Sequence, residues 1–529
     1  MKNYERLLKN SRFFLFSPKY FCMKKFLLLH LLMIVILSLT AQKNTISIFD
    51  NDLKIANQIK LEELKNSKVD EYLYLLCDKA GPKLTGSRGI LRADSIAMLE
   101  MQKLGLENVR IEKAKTWDRG GWELKKAYMA MTAPYYMHFF PAPVAWTDGT
   151  NGLISDKVYY FSATSVEELE NLKGFYTGKI VLMPDVMQYK INFNPLATIY
   201  TDEQLKEMEY LPLPQILSQP TKKTQKPFEN KKLSYQDILY FLQQEKAAVI
   251  IHETGDFNNP MLSFHPYCMC DDVSPCEINI TCEHHGLMQR LIENGEEVRL
   301  DVEIEVEFLN DENIYIVVGE IKGTDPKLKD ELVIIGAHLD GYQMNNGAGD
   351  DVTNCVGVLE AMRILKSLNI KPKRTIRMIL WNGEEVGLHG SSGYVEKYVK
   401  DKDGNPLNEY DKISAYYNAD YGPGKFRGIS TQQNLALEPL FKEWAQPWHH
   451  LGFTTVIHRY YTSTDHIPFD EVGIPAFQFI QDPLEWGRGS HKVTDFSDRL
   501  VPDNIRHNAI ILAWFAYKTA NLEEKLIRK

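Results

Sequence analysis

Cysteine is scarce in this chain, with 7 residues among 529, and this scarcity excludes a small disulfide-stapled scaffold. Positive charge is not concentrated either. Lys and Arg total 61 against 70 for Asp and Glu, without a basic arm, which argues against nucleic-acid binding. The hydrophobic share of 44% and the charged share of 25% are those of globular proteins, so disorder, collagen and coiled coil are excluded as global descriptions. At roughly 100–200 residues per domain, the length allows two to four domains.

Long apolar runs are also absent, with one exception near the N-terminus. Residues 26–39 are almost continuously apolar, two lysines precede them, and small residues follow before Gln42. This pattern is typical of a secretory signal peptide, and the run is shorter than the roughly 20 residues that span a bilayer. We therefore predict a signal peptide over 23–41, favoured over a membrane anchor, with Met23 as the true start of the protein and 1–22 as upstream residues outside it. The mature chain is then periplasmic or secreted, without stable membrane insertion.

The few cysteines are unevenly distributed, because four of them lie within fifteen residues: Cys268, Cys270, Cys276 and Cys282. Their spacing lacks the paired C-x₂-C form of structural zinc sites. In an exported chain, one or two disulfides within this cluster are the favoured interpretation. Unpaired thiols and a metal site are the alternatives.

The pattern of apolar runs and loops in the sequence changes twice after the N-terminus. Residues 136–275 contain short β runs separated by loops rich in Pro and Lys, whereas strands and helices alternate after 276. The runs 314–320 and 332–337 are nearly continuously apolar, as in strands buried on both faces. This alternation predicts an α/β fold, a mostly parallel mixed sheet covered by helices on both sides. We predict that 42–135 and 276–529 form one domain and that 136–275 is a small β-rich insertion.

Acidic residues and histidines follow the predicted strands of this α/β part. His338 and Asp340 come after the strand 332–337, Glu384 and Glu385 after 375–381, and Asp420 after 413–418. In open α/β sheets, sites form beyond the carboxyl ends of the strands, so we expect these side chains to converge. Two further candidates lie in loops, Asp350 in a Gly-rich turn before a helix and His491 near the C-terminus.

These residue types suit metal-assisted hydrolysis. Imidazole nitrogens and carboxylate oxygens are the ligands of catalytic zinc, and this set suffices for two ions about 3.5–4 Å apart. Taken singly, His338 is also explained as a strand-end histidine and Asp350 as a helix N-cap. Together, however, the buried acids would repel one another without cations. Neighbouring side chains of an extended segment point apart, so one glutamate of the Glu384-Glu385 pair can bind metal while the other faces the water and takes a proton.

At this point the sequence resembles a known family, through four groups of residues: His338-x-Asp340, Gly347-Ala348-Gly349-Asp350-Asp351, Trp381-Asn382-Gly383-Glu384-Glu385, and Asp420 with His491. They look like the motifs of the co-catalytic dizinc exopeptidases of metallopeptidase family twenty-eight, which have a phosphorylase/hydrolase-like zinc peptidase fold. The loop 80–87 shares the resemblance, and the insertion resembles a protease-associated domain. The segment 352–355 departs from the small residues that many members have there.

The resemblance implies a role for each candidate residue. One zinc ion would be bound by His338 and Asp420, the other by Glu385 and His491, and Asp350 would bridge the two. Glu384 would act as general base and later as acid, and Asp340 would orient the His338 ring.

A tyrosine is also implied by the resemblance. Tyr461 would stabilise the oxyanion, whereas Asp465 and His466, which follow it, are read as structural or supporting residues.

The expected function is therefore hydrolysis of terminal bonds of peptides or dipeptides by an exported dizinc exopeptidase, with aminopeptidase action favoured. A carboxypeptidase or dipeptidase is the first alternative, since Arg459 and Arg488 lie near the motifs in sequence and a carboxylate needs such a partner. A glutaminyl cyclase, which resembles this fold but uses one zinc, is the second. A binding protein on an inactive scaffold is the third, although such proteins typically lose ligands or the base and none is missing here.

Overall fold

A computed structural model describes residues 51–184, 191–210, 232–254 and 274–529. The chain divides into two units, Met1–Gln58 and Ile59–Lys529. In the first unit, the described residues 51–58 are helical, and both sheets belong to the second. The predicted upstream residues 1–22, the signal peptide 23–41, Cys268 and Cys270 lie outside the described residues.

The strands of the described residues are β1 (Glu107–Thr116), β2 (Gly121–Ala133), β3 (Met137–Phe139), β4 (Ala142–Pro143), β5 (Ile154–Tyr160), β6 (Ile180–Leu182), β7 (Val249–Glu253), β8 (Cys276–Ile280), β9 (Arg299–Leu309), β10 (Asn313–Ile321), β11 (Leu332–His338), β12 (Thr375–Trp381), β13 (Ile413–Asn418), β14 (Phe426–Ser430), β15 (Thr455–Ile457) and β16 (Ala476–Gln481).

Residues 51–66 are helical, and the further α-helices of the described residues are Val69–Leu73, Arg88–Lys103, Val166–Asn171, Asp202–Tyr210, Tyr235–Gln244, Cys282–Glu293, Thr353–Ser367, His389–Tyr394, Glu438–Ala445, Ile467–Glu471, Trp486–Gly489 and Pro502–Asn521. Shorter π and 3₁₀ turns are Tyr74–Lys79, Ala348–Val352, Val395–Val399, Leu435–Leu437, Gln446–Leu451 and Ser497–Arg499. None of the helices in the described ranges combines the length and the hydropathy that crossing a bilayer requires.

The first sheet has the order β1-β10-β12-β11-β13-β16-β14-β15. Its centre, β12-β11-β13-β16, is parallel, whereas β1 and β10 are antiparallel additions at one edge and β14 runs antiparallel to β16. The central strands are buried throughout, which is why they read as continuous apolar runs. This mixed α/β sheet flanked by helices confirms the predicted fold class.

Helices cover this sheet through its apolar side chains. Thr353–Ser367 and Pro502–Asn521 contact each other and β11. The short helices His389–Tyr394 and Ile467–Glu471 surround Trp381, whose indole is fully buried in one hydrophobic cluster with Tyr394, Tyr416 and Phe469. Trp381 directly precedes the Asn382-Gly383-Glu384-Glu385 motif, so a packed core supports the segment that carries the two glutamates.

The second sheet is inserted between β1 and β10, which pair with each other. Its order is β3-β2-β9-β5-β6-β7-β8-β4, so it runs from Gly121 to Leu309 and extends past both predicted boundaries, 136 and 275. The extra length comes from β2 and β9, which pair along almost their whole length. Both are amphipathic and carry charged residues that face each other across the sheet, such as Lys126 and Glu303, whose charged atoms lie 2.6 Å apart.

The predicted disulfide cluster is only partly within the described residues. Cys276 and Cys282 carry free thiols, so neither takes part in the predicted disulfides. Cys276 begins β8 inside the core of the second sheet, where burial raises the pKa of its thiol. A bond between Cys268 and Cys270 lies outside the described part of the chain.

Candidate active site

The predicted ligands lie at the carboxyl ends of adjacent parallel strands. His338 is the last residue of β11, and it is in register with Trp381 at the end of β12. Glu384 and Glu385 follow β12, and Asp420 follows β13, the other neighbour of β11. The sheet order therefore brings together residues that are up to 82 positions apart in the sequence, from His338 to Asp420.

Asp350 is at the centre of the group. Its Oδ1 lies 3.1 Å from Nε2 of His338, and its Oδ2 lies 3.4 Å from Nε2 of His491. The same nitrogen of His491 is 3.2 Å from Oε2 of Glu385. Two overlapping sets of donor atoms lie within 4.8 Å of one another and could each hold an ion: His338 with Asp350 and Glu385, and His338 with Asp351 and Asp420. All five predicted ligands thus converge, and Asp351 joins them.

Asp340 links His338 to a distant loop. Nδ1 of His338 is 3.1 Å from the backbone carbonyl of Asp340 and 3.6 Å from its carboxylate. That carboxylate accepts a 2.6 Å hydrogen bond from Oγ1 of Thr85 and a 3.3 Å bond from the backbone N–H of Glu384. Asp340 is therefore placed to orient the ring of His338, and it also ties the loop 80–87 to the Glu384-Glu385 segment.

The loop that carries Asp350 is held from the C-terminal part of the chain. The carboxylate of Asp495 accepts hydrogen bonds from the backbone N–H groups of Gly349 at 2.7 Å and of Asp350 at 3.1 Å. The hydroxyl of Ser490 donates to Oδ2 of Asp350 at 2.7 Å. The segment 490–495 thus fixes Asp350 twice, in addition to supplying His491.

Tyr342 is a site residue that the sequence did not reveal. Its hydroxyl donates to Oε2 of Glu385 at 3.0 Å, and its ring centroid lies 5.1 Å from that of His491. The side chain is buried. Only its position two residues after Asp340 could have drawn attention to it.

The segment 352–355, which departs from the family pattern, contacts the site directly. The amide of Asn354 donates to Oδ1 of Asp351 at 2.6 Å and accepts a 2.9 Å bond from Gln481. The thiol of Cys355 donates to the backbone carbonyl of His338 at 2.9 Å. Asn354 and Cys355 therefore form side-chain hydrogen bonds to site residues, which the small residues of many family members cannot form in the same way.

The carboxyl groups of the site are strongly perturbed in the absence of cations. Burial raises the pKa of Glu384, Glu385 and Asp351, and nearby carboxylates raise these pKa values further. Burial likewise raises the pKa of Asp420 to about 6. In addition, Oε1 of Glu385 and Oδ2 of Asp351 are buried without a hydrogen-bond partner. Such a cluster is costly unless positive charge is supplied.

The pKa values of the two site histidines are raised as well, which favours the charged form of each ring. Burial opposes the charged form of both rings. Hydrogen bonds that the His338 ring donates to Asp340 and Asp350 nevertheless raise the pKa of His338, and Glu385 and Asp350 raise that of His491 to about 9. Without metal, these protonated rings are the countercharges of the carboxylates. The arrangement fits the donor set of a binuclear metal centre, in which cations would take over that role.

Tyr461 lies beside this group, on the side of Asp420. Its ring is 5.5 Å from that of Tyr421, the residue after Asp420, and its backbone N–H donates to Gln432 at 2.7 Å. Among the described contacts, none joins the Tyr461 hydroxyl to a predicted ligand. Asp465 and His466 are buried, bonded to Ser391 and Gln432 respectively.

Comparison with known proteins then decides the family. A model of peptidase family M28 matches residues 316–516. This part of the chain belongs to peptidase family M28. The M28 region begins in β10 and ends within the helix Pro502–Asn521, and it contains every predicted metal ligand and Glu384.

Curated relatives match different shares of the chain. Carboxypeptidase Q of Rattus norvegicus is 25% identical over 463 residues, which cover 87% of this chain and 86% of the relative. Leupeptin-inactivating enzyme 1 of Streptomyces exfoliatus is 30% identical over 167 residues, covering 31% of this chain and 34% of that protein.

Two solved structures share the fold of the M28 region and its insertion. A peptidase M28 precursor from Shewanella amazonensis superposes with a TM-score of 0.65 at 21% identity, covering 90% of this chain and 98% of the other. BSAP from Bacillus subtilis, described as a zinc aminopeptidase, gives a TM-score of 0.56 at 17% identity and covers 87% and 96%. At these identities the similarity shows the fold alone.

Proposed function

We propose that this chain is an exported zinc-dependent exopeptidase that hydrolyses terminal peptide bonds. The observation that carries the proposal is the convergence of His338, Asp350, Glu385, Asp420 and His491 at the carboxyl ends of β11, β12 and β13. The M28 match and the names of the relatives, carboxypeptidase Q and zinc aminopeptidase, support peptide hydrolysis and zinc.

We propose two zinc ions for the site. His338 and Asp420 would hold one, Glu385 and His491 the other, and Asp350 would contact both. The unpartnered buried oxygen of Glu385 supports this fit, since a carboxylate oxygen with no donor nearby is suited to a cation. Zinc, when bound, supplies Lewis acidity that lowers the pKa of coordinated water and polarises a carbonyl oxygen.

Glu384 is proposed as the group that moves the proton. Its carboxylate would take the proton from the attacking water and deliver it to the leaving amine, as a general base and then a general acid. The backbone N–H of Glu384 donates a hydrogen bond to Asp340, which also contacts His338. Asp340 therefore holds both the proposed proton acceptor and a proposed ligand in place. The hydroxyl of Tyr461 is proposed to donate to the developing oxyanion.

Removing the hydrogen bond that holds Asp340 in place should weaken metal binding. Thr85→Val deletes the 2.6 Å hydrogen bond to Asp340, and we expect about a tenfold loss of zinc affinity, the lower end of the range for residues that hold metal ligands in place. Competition with a zinc-binding dye measures the affinity. The matched control is Thr132→Val, because Thr132 is exposed on β2. Equal affinity of the Thr85 variant and the wild type would contradict this role.

The preferred end of the peptide is a separate question. Aminopeptidase action, expected from the sequence, stays a prediction. Two observations favour the carboxypeptidase or dipeptidase alternative. The relatives that span 87% of this chain are named carboxypeptidase Q, and Arg459 is exposed without an acidic partner among the described residues.

The protease-associated identity of the second sheet and export through the signal peptide are likewise proposals.

Product analysis tests the proposed function. The purified mature chain, loaded with zinc, is incubated with a pentapeptide that begins with glutamine, and products are identified by mass spectrometry. An exopeptidase releases single residues or dipeptides in order from one end. Loss of ammonia without cleavage would instead indicate a glutaminyl cyclase, and an unchanged peptide would indicate a binding protein.

A further inference from the structure

We propose that Arg459, which lies over the ring of Tyr461, forms with the hydroxyl of Tyr200 a recognition site for a carboxylate of the substrate beside the candidate metal centre. This inference rests on the proposed peptidase function, and it names the substrate group that the site selects. It also gives the inserted module a part in specificity, because Tyr200 belongs to the insertion.

Arg459 follows β15 and has an unusual environment. Its guanidinium carbon lies 5.1 Å from the centroid of the Tyr461 ring, and the residue is exposed. No carboxylate of the described residues forms an ion pair with it. Nearby arginines are neutralised, as Arg427 is by Asp482 at 3.1 Å. Arg459 is therefore a positive charge at the surface that is available to a ligand.

Two tyrosines in ring contact, tilted by 50°, connect the cluster to the candidate metal centre. The ring of Tyr461 lies 5.5 Å from that of Tyr421, and Tyr421 directly follows the predicted ligand Asp420. The hydroxyl of Tyr421 donates to the backbone carbonyl of Thr462, which fixes the pair of rings. Arg459 is therefore exposed on one side of this tyrosine pair. On the other side, Tyr421 is adjacent in sequence to the predicted ligand Asp420.

An arm from the second-sheet module completes the cluster. Residues 191–210 follow β6 in the chain, yet they lie against the first sheet. Thr198 exchanges two backbone hydrogen bonds with Leu484, at 3.0 and 2.7 Å. Leu205 is buried in one hydrophobic cluster with Ile457 and Ile480, and Tyr200 and Tyr461 pack against that cluster. The arm is therefore anchored, and it places Tyr200 beside Tyr461.

The charge of Arg459 acts on both phenols. Burial raises the pKa of Tyr200 and that of Tyr461, the latter to about 12, and the positive charge of Arg459 partly offsets this rise in each case. Both hydroxyls therefore stay protonated as donors near neutral pH. The guanidinium of Arg459 offers several N–H donors, and the phenol of Tyr200 adds an O–H donor beside them.

A carboxylate is the substrate group that fits these donors. Arginine binds carboxylates through two parallel N–H bonds, and stacking on an aromatic ring orients its plane. Peptides present a carboxylate either at the C-terminus or on an acidic side chain. Both sources share this chemistry, and they can be separated by choosing the substrate.

Three dipeptide substrates with free amino ends test the inference: Leu-Leu, Leu-Leu-amide and Leu-Glu-amide. For Arg459→Gln we expect the KM for Leu-Leu to rise about 10–100-fold, the range for hydrogen bonds to a charged group, with kcat within about twofold and Leu-Leu-amide unaffected. A rise confined to Leu-Glu-amide would support the site and identify a side-chain carboxylate as its ligand. Equal changes for all three substrates, or none, would overturn the inference.

A matched arginine provides the control. Arg528 also lies over a tyrosine ring, 4.2 Å from the centroid of Tyr410. Arg528→Gln should leave all three substrates unaffected. On the arm, Tyr200→Phe should raise the KM for the carboxylate substrate about 2–10-fold, whereas Tyr210→Phe, at a position 83% exposed, should not.

A binding measurement separates this inference from the proposed function. Zinc-loaded Glu384→Gln protein is titrated with Leu-Leu by calorimetry, with and without Arg459→Gln. Binding that needs Arg459, together with a wild type that cleaves no peptide, would refute the peptidase and retain the carboxylate site. Peptide cleavage with binding that is independent of Arg459 would refute the carboxylate site and retain the peptidase.

Discussion

Replacing Glu384 by glutamine is expected to lower kcat by about 10²–10⁴-fold, the contribution typical of general acid–base catalysis. The substitution keeps the size of the side chain and removes its ability to take a proton. Glu384 is not among the proposed ligands, so zinc content should stay at the wild-type level. Steady-state kinetics on a dipeptide, with elemental analysis of the same sample, measures both quantities.

Two comparisons give this experiment its force. Glu443→Gln, at an exposed position on the helix Glu438–Ala445, should have wild-type kinetics. Glu385→Gln should instead lose zinc, because Glu385 is a proposed ligand next to His491. Near-normal turnover by the Glu384 variant would show that another group moves the proton. Loss of zinc from that variant would show that Glu384 is a ligand.

The part of the fold that carries the site was predictable from the sequence. The strands β12 and β13 have the predicted bounds, and β11 is longer by one residue, His338 itself. These strands are buried on both faces, so their apolar runs end where the sheet ends. Polar residues that follow such a run must lie at the sheet edge, which is why the ligands could be found one strand at a time.

Amphipathic strands did not give such a signal. In β2 and β9, buried residues alternate with charged ones that pair across the sheet, as Lys126 pairs with Glu303. A run interrupted by lysines and glutamates reads as a solvated segment unless its partner strand is known. The predicted insertion therefore began at 136 and ended at 275, whereas the sheet includes residues 121–309.

Supporting residues were hidden for a related reason. Thr85 is 255 positions from Asp340, and Asp495 is 146 positions from Gly349, so no local pattern relates the partners. Tyr342 is close in sequence, but a tyrosine in a loop has no periodicity that indicates its direction. The ligands are recognisable by chemical type, whereas their supports depend on tertiary contacts that only the folded chain defines.

The metal count decides between a dizinc exopeptidase and the glutaminyl cyclase alternative. We expect the wild-type chain to bind two zinc ions, and we expect Asp350→Asn to retain at most one and to lose nearly all activity. Asp350 lies between His338 and His491, at 3.1 and 3.4 Å, so its two oxygens are the groups that can join both positions. An amide offers only one oxygen acceptor and no negative charge. Elemental analysis after dialysis, with kinetics on the same preparations, measures the outcome.

Chelation supplies the companion measurement. Exhaustive treatment of the wild type with a chelator should abolish activity, and zinc should restore it as the second equivalent binds. Asp301→Asn is the matched control, because Asp301 lies on β9 with its carboxylate 2.6 Å from the hydroxyl of Ser155, outside the candidate site. That variant should bind two ions and recover fully. A wild type that is fully active with one ion would favour the glutaminyl cyclase alternative, and activity that survives metal removal would exclude metal catalysis.

Since the buried acids otherwise depend on protonated histidines for countercharge, zinc binding should also release protons, and calorimetry in buffers of different ionisation enthalpy can count them.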